Sequence, residues 1–236
     1  TPLIKNTGIS GKINLKNNPL SNITYTTHIP ALIKKGITIE HDVVPAGTVT
    51  FKDANLEKAI RDALGIPTEL LKKEDLTGLK MLAYEGKEGA KISDLTGLEH
   101  CTSLTNLELK SNQLSDLSPL VNLVTGYLDL RSNQISDISA LVENTGISGK
   151  INLKDNPLNN TALSTHISAL EAREIEVEYD IPEGVVLFKD VNLEKAIRDA
   201  LGIPIELLKK EDLAKLTELE YTGFKLAENE RIADLT

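Results

Sequence analysis

The spacing Leu107-x-Leu109-x-x-Asn112-x-Leu114 returns at Leu128-x-Leu130-x-x-Asn133-x-Ile135 and again at Ile151-x-Leu153-x-x-Asn156-x-Leu158. The asparagines step by 21 and then 23 residues, and the apolar positions step with them. Two apolar residues separated by one position share a face of an extended strand. No 3.6-residue period runs through the pattern, so an array of amphipathic helices does not produce it. The asparagine has a defined task. Its amide both donates and accepts, so it can satisfy backbone groups where the chain turns inward and pass the same bonds to the next repeat. The strings Ser115-Asp116-Leu117 and Ser136-Asp137-Ile138 then carry the chain round the far side in a short helix or 3₁₀ turn.

The strings NLELKSNQLSDLSPL and YLDLRSNQISDISAL resemble the leucine-rich repeat in the 21–23-residue bacterial form of internalin-like proteins. The resemblance implies an α/β solenoid with short parallel strands on a concave face, helical N-terminal caps and a terminal helix-strand cap. It also implies a non-enzymatic protein-binding module of the bacterial or archaeal kind, with an extracellular or cell-surface location; a purely structural self-assembling spacer and an intracellular regulatory scaffold are the alternative expectations.

A second, longer period contains the first. Thr7–Leu15 (TGISGKINL) recurs at Thr145–Leu153, a distance of 138 residues, and Asn55–Pro67 (NLEKAIRDALGIP) recurs at Asn192–Pro204 after a one-residue deletion near Gly47. Asp53 or Asn55 can cap a helix that buries Leu56, Ala59, Ile60, Ala63 and Leu64; Gly65 stops it and Pro67 can open the next short helix, ELLKKEDL. After each NPL string, His28–Asp42 and His166–Asp180 read as a helix and a last strand that cover the final apolar layer. Pro and Gly then interrupt both periods at 43–49 and 181–186. The expected division is 1–46, the back half of one solenoid; 47–182, a complete one; and 183–236, the capping helices and first repeat of a further one.

Read tail to head, IADLT and PLIKNTG align with ISDIS and ALVENTG at 135–146, apart from one surplus Thr. The two termini therefore read as halves of one repeat, and Thr1 falls in mid-pattern. Three arrangements are expected from this: a piece of a longer tandem array, head-to-tail self-association, or closure within one chain. The apolar residues available for self-association are Leu219, Tyr221, Ile232 and Leu235 in the tail, and Ile9, Ile13, Leu15 and Leu20 in the head. Such a contact is heterologous and builds rings or filaments.

Composition narrows the chemistry. Aromatics make up only 3% of the 236 residues, so any core is aliphatic. The net charge of −9 is spread along the chain and argues against nucleic acid or an anionic membrane surface as partner. No apolar run approaches the roughly 18 residues of a membrane span, so no insertion is expected. Cys101 stands alone, so no disulfide forms within the chain, and both reducing and oxidising compartments stay open. The four histidines are isolated, and no metal, phosphate-binding or nucleophile motif occurs. We therefore expect no catalytic residue, no cofactor and no metal.

What remains is the strand face between the leucines. Asn106, Glu108, Lys110 and Ser111, then Tyr127, Asp129, Arg131 and Ser132, then Lys150, Asn152, Lys154 and Asp155 are expected to face solvent on the inner curve. A column Glu108, Asp129, Asn152, Glu176 would run beside another of Lys110, Arg131, Lys154. Cross-strand charge pairing accounts for such columns, and so does a polar surface for a protein or peptide. Tyr127 and Arg131 are the anchor candidates, because those residue types lead interface hot spots.

Overall fold

The computed structural model describes residues 2–5, 8–18, 20, 22, 24–44, 46–49, 51–67, 70–188, 190–203, 206–217 and 219. A four-residue helix, α1 (Pro2–Lys5), leads into β1 (Lys12–Asn14). A π-helical turn over Thr24–His28 then runs into α2 (Ile29–Lys34) and β2 (Thr38–Glu40), which pairs parallel to β1. The helices α3 (Ala54–Leu64) and α4 (Lys73–Leu76) precede β3 (Met81–Ala83), β4 (Asn106–Glu108) and β5 (Thr125–Asp129). A helical turn, α5 (Ser139–Glu143), links β5 to β6 (Ile147–Asn152). A second π-helical turn, Ala162–His166, enters α6 (Ile167–Glu171), followed by β7 (Glu176–Glu178), α7 (Val191–Leu201) and α8 (Lys210–Leu213).

Strands β3 to β7 form one parallel sheet in sequence order. Its register sets Leu82, Leu107, Leu128 and Ile151 side by side, and all four are fully buried. Leu109, Leu130 and Leu153 form the next buried row. Each buried leucine or isoleucine contributes about 1.5–3 kcal/mol from apolar surface removed from water. This mixed α/β arrangement around a parallel sheet is compatible with a leucine-rich-repeat fold.

The aspartates of the S-D strings explain the returns. Asp94, Asp116 and Asp137 each accept the backbone N–H two residues on, from Thr96, Ser118 and Ser139, at 2.8 Å. That bond closes a turn and starts the short helical segments Ser118–Leu120 and α5.

The asparagines behave as their spacing predicts. Asn112, Asn133 and Asn156 accept the N–H of Ile92, Leu114 and Ile135 in the preceding repeat at 2.8, 3.0 and 3.0 Å. Their amide groups donate backward as well, Asn133 to the Leu109 carbonyl and Asn156 to the Leu130 carbonyl. The residue before each, Ser111, Ser132 and Asp155, has a positive φ near 60°, as does Asn17 before Asn18. That left-handed residue turns the chain so that the next side chain points inward.

The helix α3 starts where Asp53 Oδ1 accepts the N–H groups of Asn55 and Leu56, and it ends at Gly65 in the left-handed region. Two details differ from expectation. Ala63 is exposed, because the buried stripe of α3 includes Glu57 and Arg61, whose Nε and Nη2 both donate to Glu57 Oε1 at 2.9 and 2.8 Å. Pro67 does not open the next helix. Leu71 stays extended, its carbonyl accepting Val49 N–H at 3.0 Å, and α4 is organised by Asp75 Oδ2 on Lys72 N–H.

Both copies of the segment after NPL bury matching residues. Tyr25, Ile29, Leu32 and Ile37 correspond to Leu163, Ile167, Leu170 and Ile175, and all eight are buried. Asn22, fully buried, ties the first of these segments to α3 and to the extended chain at Val49 and Leu71. Its Oδ1 accepts Leu71 N–H and an Arg61 Nη2 hydrogen, and its Nδ2 donates to the carbonyls of Val49 and Leu71. Its copy, Asn160, donates to Glu194 Oε1 of α7 at 2.6 Å. The main core runs from Val49 to Ile175, and a smaller one centres on Leu193, Ile197 and Leu208.

Candidate interaction surfaces

Strand alternation sends every second residue of β3 to β7 away from the buried leucine row. The register then fixes two polar rows. One is Met81, Asn106, Tyr127, Lys150 and Glu176; the other is Ala83, Glu108, Asp129, Asn152 and Glu178. Glu176 therefore does not continue the row of Glu108, Asp129 and Asn152. Glu178 takes that place, because the helix before β7 sets its own length and shifts the last strand by two residues.

Asp129 and Asn152 do not face solvent as the strand pattern predicts. They are 1% and 5% exposed. Asp129 Oδ1 turns back to accept Arg131 N–H at 3.2 Å, and Arg131 Nε lies 3.3 Å from its other oxygen. Asn152 Oδ1 accepts Lys154 N–H at 3.1 Å. Beside Asn152, Glu178 is contacted by Lys150 at 2.7 Å and by Lys154 at 3.7 Å, and these long side chains cover it.

The other named positions remain accessible. Arg131 and Lys154 are exposed; Asn106, Glu108, Lys110, Tyr127 and Lys150 are half-buried. Lys110 reaches Glu85 at 3.4 Å, and Lys150 bridges Glu176 at 2.8 Å as well as Glu178. Hydrogen bonds to Glu176 and Glu178 push the Lys150 ammonium upward from its ordinary range, and the bond from Lys150 holds the Glu178 carboxyl below its own. Exposed pairs of this kind are screened and hold side chains in place more than they stabilise the fold. Met81, Glu85 and Glu178 belong to this face and were not among the sequence candidates. The 25-residue step from Leu82 to Leu107 is the signal that places Met81 and Glu85 in register. Met81 is exposed and gives the face an apolar position.

Gly86 packs against the next repeat, its N–H donating to the Lys110 carbonyl at 3.1 Å. A Cβ there would stand 2.2 Å from the Ser111 carbonyl oxygen and 2.6 Å from Asn112 Oδ1, so only glycine fits.

The candidate self-association residues fall in two places. In the head, Ile9, Ile13, Leu15 and Leu20 are half-buried, whereas their copies Ile147, Ile151, Leu153 and Leu158 are 4%, 0%, 0% and 3% exposed. In the tail, Leu219 is exposed, and Tyr221, Ile232 and Leu235 lie outside the described residues.

Other reactive side chains are occupied or shielded. Cys101 is fully buried, and burial pushes its thiol up to about 12. Burial likewise lowers the pKa of His28. His41 bonds the Asp42 carbonyl and meets the Tyr25 ring edge-on at 5.7 Å. Among the described residues no group of three or more His, Cys, Asp or Glu could hold a metal ion, and no helix is long and apolar enough to cross a membrane.

No protein-family sequence model matches the chain, and no curated protein matches it. Solved structures do. The internalin InlF of Listeria monocytogenes is 27% identical, with 72% of this chain and 48% of that one covered at a TM-score of 0.48. Internalin C2 of the same organism is 19% identical over 71% of this chain and 91% of its own, at a TM-score of 0.30. A structure of the CBM51-2 and INT domains of Clostridium perfringens ZmpB with GlcNAc is 26% identical over 48% and 23%, at 0.34. This chain thus spans about half the length of the first of these proteins. The chain resembles internalin-like leucine-rich-repeat proteins, and its own asparagine ladder and parallel register carry that assignment rather than the superpositions.

Proposed function

We propose that the chain is a leucine-rich-repeat solenoid acting as a non-enzymatic protein-interaction module. Residues 47–182 form its complete unit, with α3 and α4 as the leading cap, β3 to β7 along the concave face, and α6 with β7 as the trailing cap. Residues 1–46 are the back half of one such unit, and residues 183–236 the front of another. The supporting observation is the polar sheet face, on which charged side chains are held by neighbours while Tyr127 and Arg131 keep accessible surface. Those two residues anchor a protein or peptide ligand, with Asn106, Glu108, Lys110, Lys150 and Lys154 around them. Asp129 and Asn152 act beneath the surface by orienting Arg131 and Lys154.

Parallel pull-downs with the wild type and with Tyr127→Ser/Arg131→Glu test this reading. A partner retained by the wild type and lost by the variant is expected; equal retention by both contradicts it.

A second reading, a structural self-assembling array, is favoured by one observation. The apolar residues beside β1 are only half-buried, where the same residues beside β6 are covered by β5.

A further inference from the structure

On a chain with a net charge of −9, three cations stand side by side just beyond the ends of β4, β5 and β6. The sheet register continues past these strands. Gly86 N–H donates to the Lys110 carbonyl at 3.1 Å, Ser111 N–H to the Arg131 carbonyl at 3.0 Å, and Ser132 N–H to the Lys154 carbonyl at 2.9 Å. Lys110, Arg131 and Lys154 therefore form one row across the sheet, at a step of about 4.8 Å. The same register puts Glu85 before the first of them and Asp180 after the last. Across the sheet the row is acidic, basic, basic, basic, acidic.

These three cations are not consumed by their neighbours. Lys110 lies 3.4 Å from Glu85, Arg131 Nε 3.3 Å from Asp129, and Lys154 3.7 Å from Glu178. All three separations exceed the roughly 2.7–2.9 Å of a charge-assisted hydrogen bond. Lys150 differs, since it bonds Glu176 and Glu178 at 2.8 and 2.7 Å. Arg131 is the best prepared. Asp129, 1% exposed, accepts its backbone N–H and faces its Nε, so the guanidinium is held by one edge. Among the described residues no hydrogen bond occupies its two Nη groups. They form a planar fork that matches a carboxylate.

We propose that this row binds a short acidic peptide segment of the partner, with two carboxylates two residues apart; this rests on the protein-interaction reading above. Alternate side chains of an extended peptide recur about every 6.6 Å on one face, and the row spans roughly 10 Å. Two such carboxylates therefore fit between three cations. One is shared by Lys110 and Arg131, the other by Arg131 and Lys154, with the Arg131 fork at the centre. The ends of the row set the length. A long polyanion, such as a nucleic acid or a sulfated glycan, runs into Glu85 on one side and Asp180 on the other. Like charges there disfavour it, whereas a short acidic segment stops before reaching them.

NMR titration of the isotope-labelled full chain at low salt tests the proposal, using the peptide GSESESG, its glutamine counterpart GSQSQSG and a heparin oligosaccharide. The glutamate peptide is expected to shift the Arg131 Nε–H resonance and to bind about tenfold tighter than the glutamine peptide, with the difference shrinking as salt is added. Arg131→Gln is expected to remove most of that difference. Lys34→Gln, which deletes the same charge from an exposed position on α2, is expected to leave it unchanged. Should Arg131→Gln misfold by circular dichroism because Asp129 loses its partner, Lys154→Gln is expected to lower the affinity about threefold. Equal binding of the two peptides, an Arg131 resonance that stays in place at saturation, or tighter binding of heparin through the same resonance overturns the proposal. Loss of a partner through Tyr127→Ser/Arg131→Glu while the two peptides bind alike overturns the acidic class alone. Equal retention in that pull-down overturns the face reading beneath it.

Discussion

Gly149 meets Gly126 so closely that a Cβ on Gly149 would lie 2.2 Å from the Gly126 carbonyl oxygen. Gly149 also has a φ of 71°, a conformation that L side chains rarely adopt. Its copy, Gly11, has a φ of 88° and open space around it. The two positions separate backbone strain from packing against a neighbouring repeat.

Gly11→Ala is therefore expected to cost about 1–2 kcal/mol, the penalty of a left-handed residue. Gly149→Ala adds overpacking to the same strain, for a total of about 3 kcal/mol or more. Urea unfolding of the two variants measures the difference.

The asparagine ladder gives a second contrast. Asn133→Ala leaves Leu114 N–H without its acceptor inside the sheet, while the Leu109 and Leu130 carbonyls each lose one amide donor and keep Asn112 and Asn156. An unsatisfied buried group costs about 1–3 kcal/mol, so a loss of about that size is expected. Asn18→Ala, on an exposed residue, is expected to change the dilute protein's stability by less than about 1 kcal/mol. Denaturant midpoints of the two variants check both values.

Arg61 and Glu57 form a buried pair, and Arg61 also donates to Asn22 and to the Ile66 carbonyl. Removing only the guanidinium, as in Arg61→Met, strands a buried carboxylate and is expected to cost about 3–5 kcal/mol. The double change Glu57→Leu/Arg61→Met is expected to recover much of that loss. A thermal melt of the single and double variants decides it; a double variant as unstable as the single one contradicts the account.

Cys101 reports on the core by its reactivity. Its folded thiol is raised by burial from about 9 to about 12. The group thus contributes stability in full below about pH 9, and that contribution is lost as pH rises toward the folded value. Alkylation of the native protein near neutral pH is expected to be slow and to accelerate sharply in denaturant, as measured by mass spectrometry.

Much of this was legible from spacing alone. Asn112, Asn133 and Asn156 could be placed because one hydrogen-bonding task recurs at one position, and Asp53 and Gly65 because helix ends demand those residue types. Asp129 and Asn152 were not legible. Alternation assigns them to the solvent face, but bonds to their own backbone two residues on and the long side chains beside them remove them from water. Glu178 was missed in favour of Glu176 because the helix before β7 interrupts the strand period that fixes register elsewhere. The half-burial of Ile13 and Leu15 has no local signal at all, since Ile151 and Leu153 carry the same sequence; only the neighbouring strand distinguishes them.

That last contrast bears most directly on the central claim, that a repeat here is completed by the repeat before it. Native-state amide hydrogen exchange in dilute solution compares Leu15 with Leu153, two amides bonded alike to Glu40 and Glu178. Leu153 is predicted to exchange orders of magnitude more slowly than Leu15. Equal protection of the two amides would contradict the account.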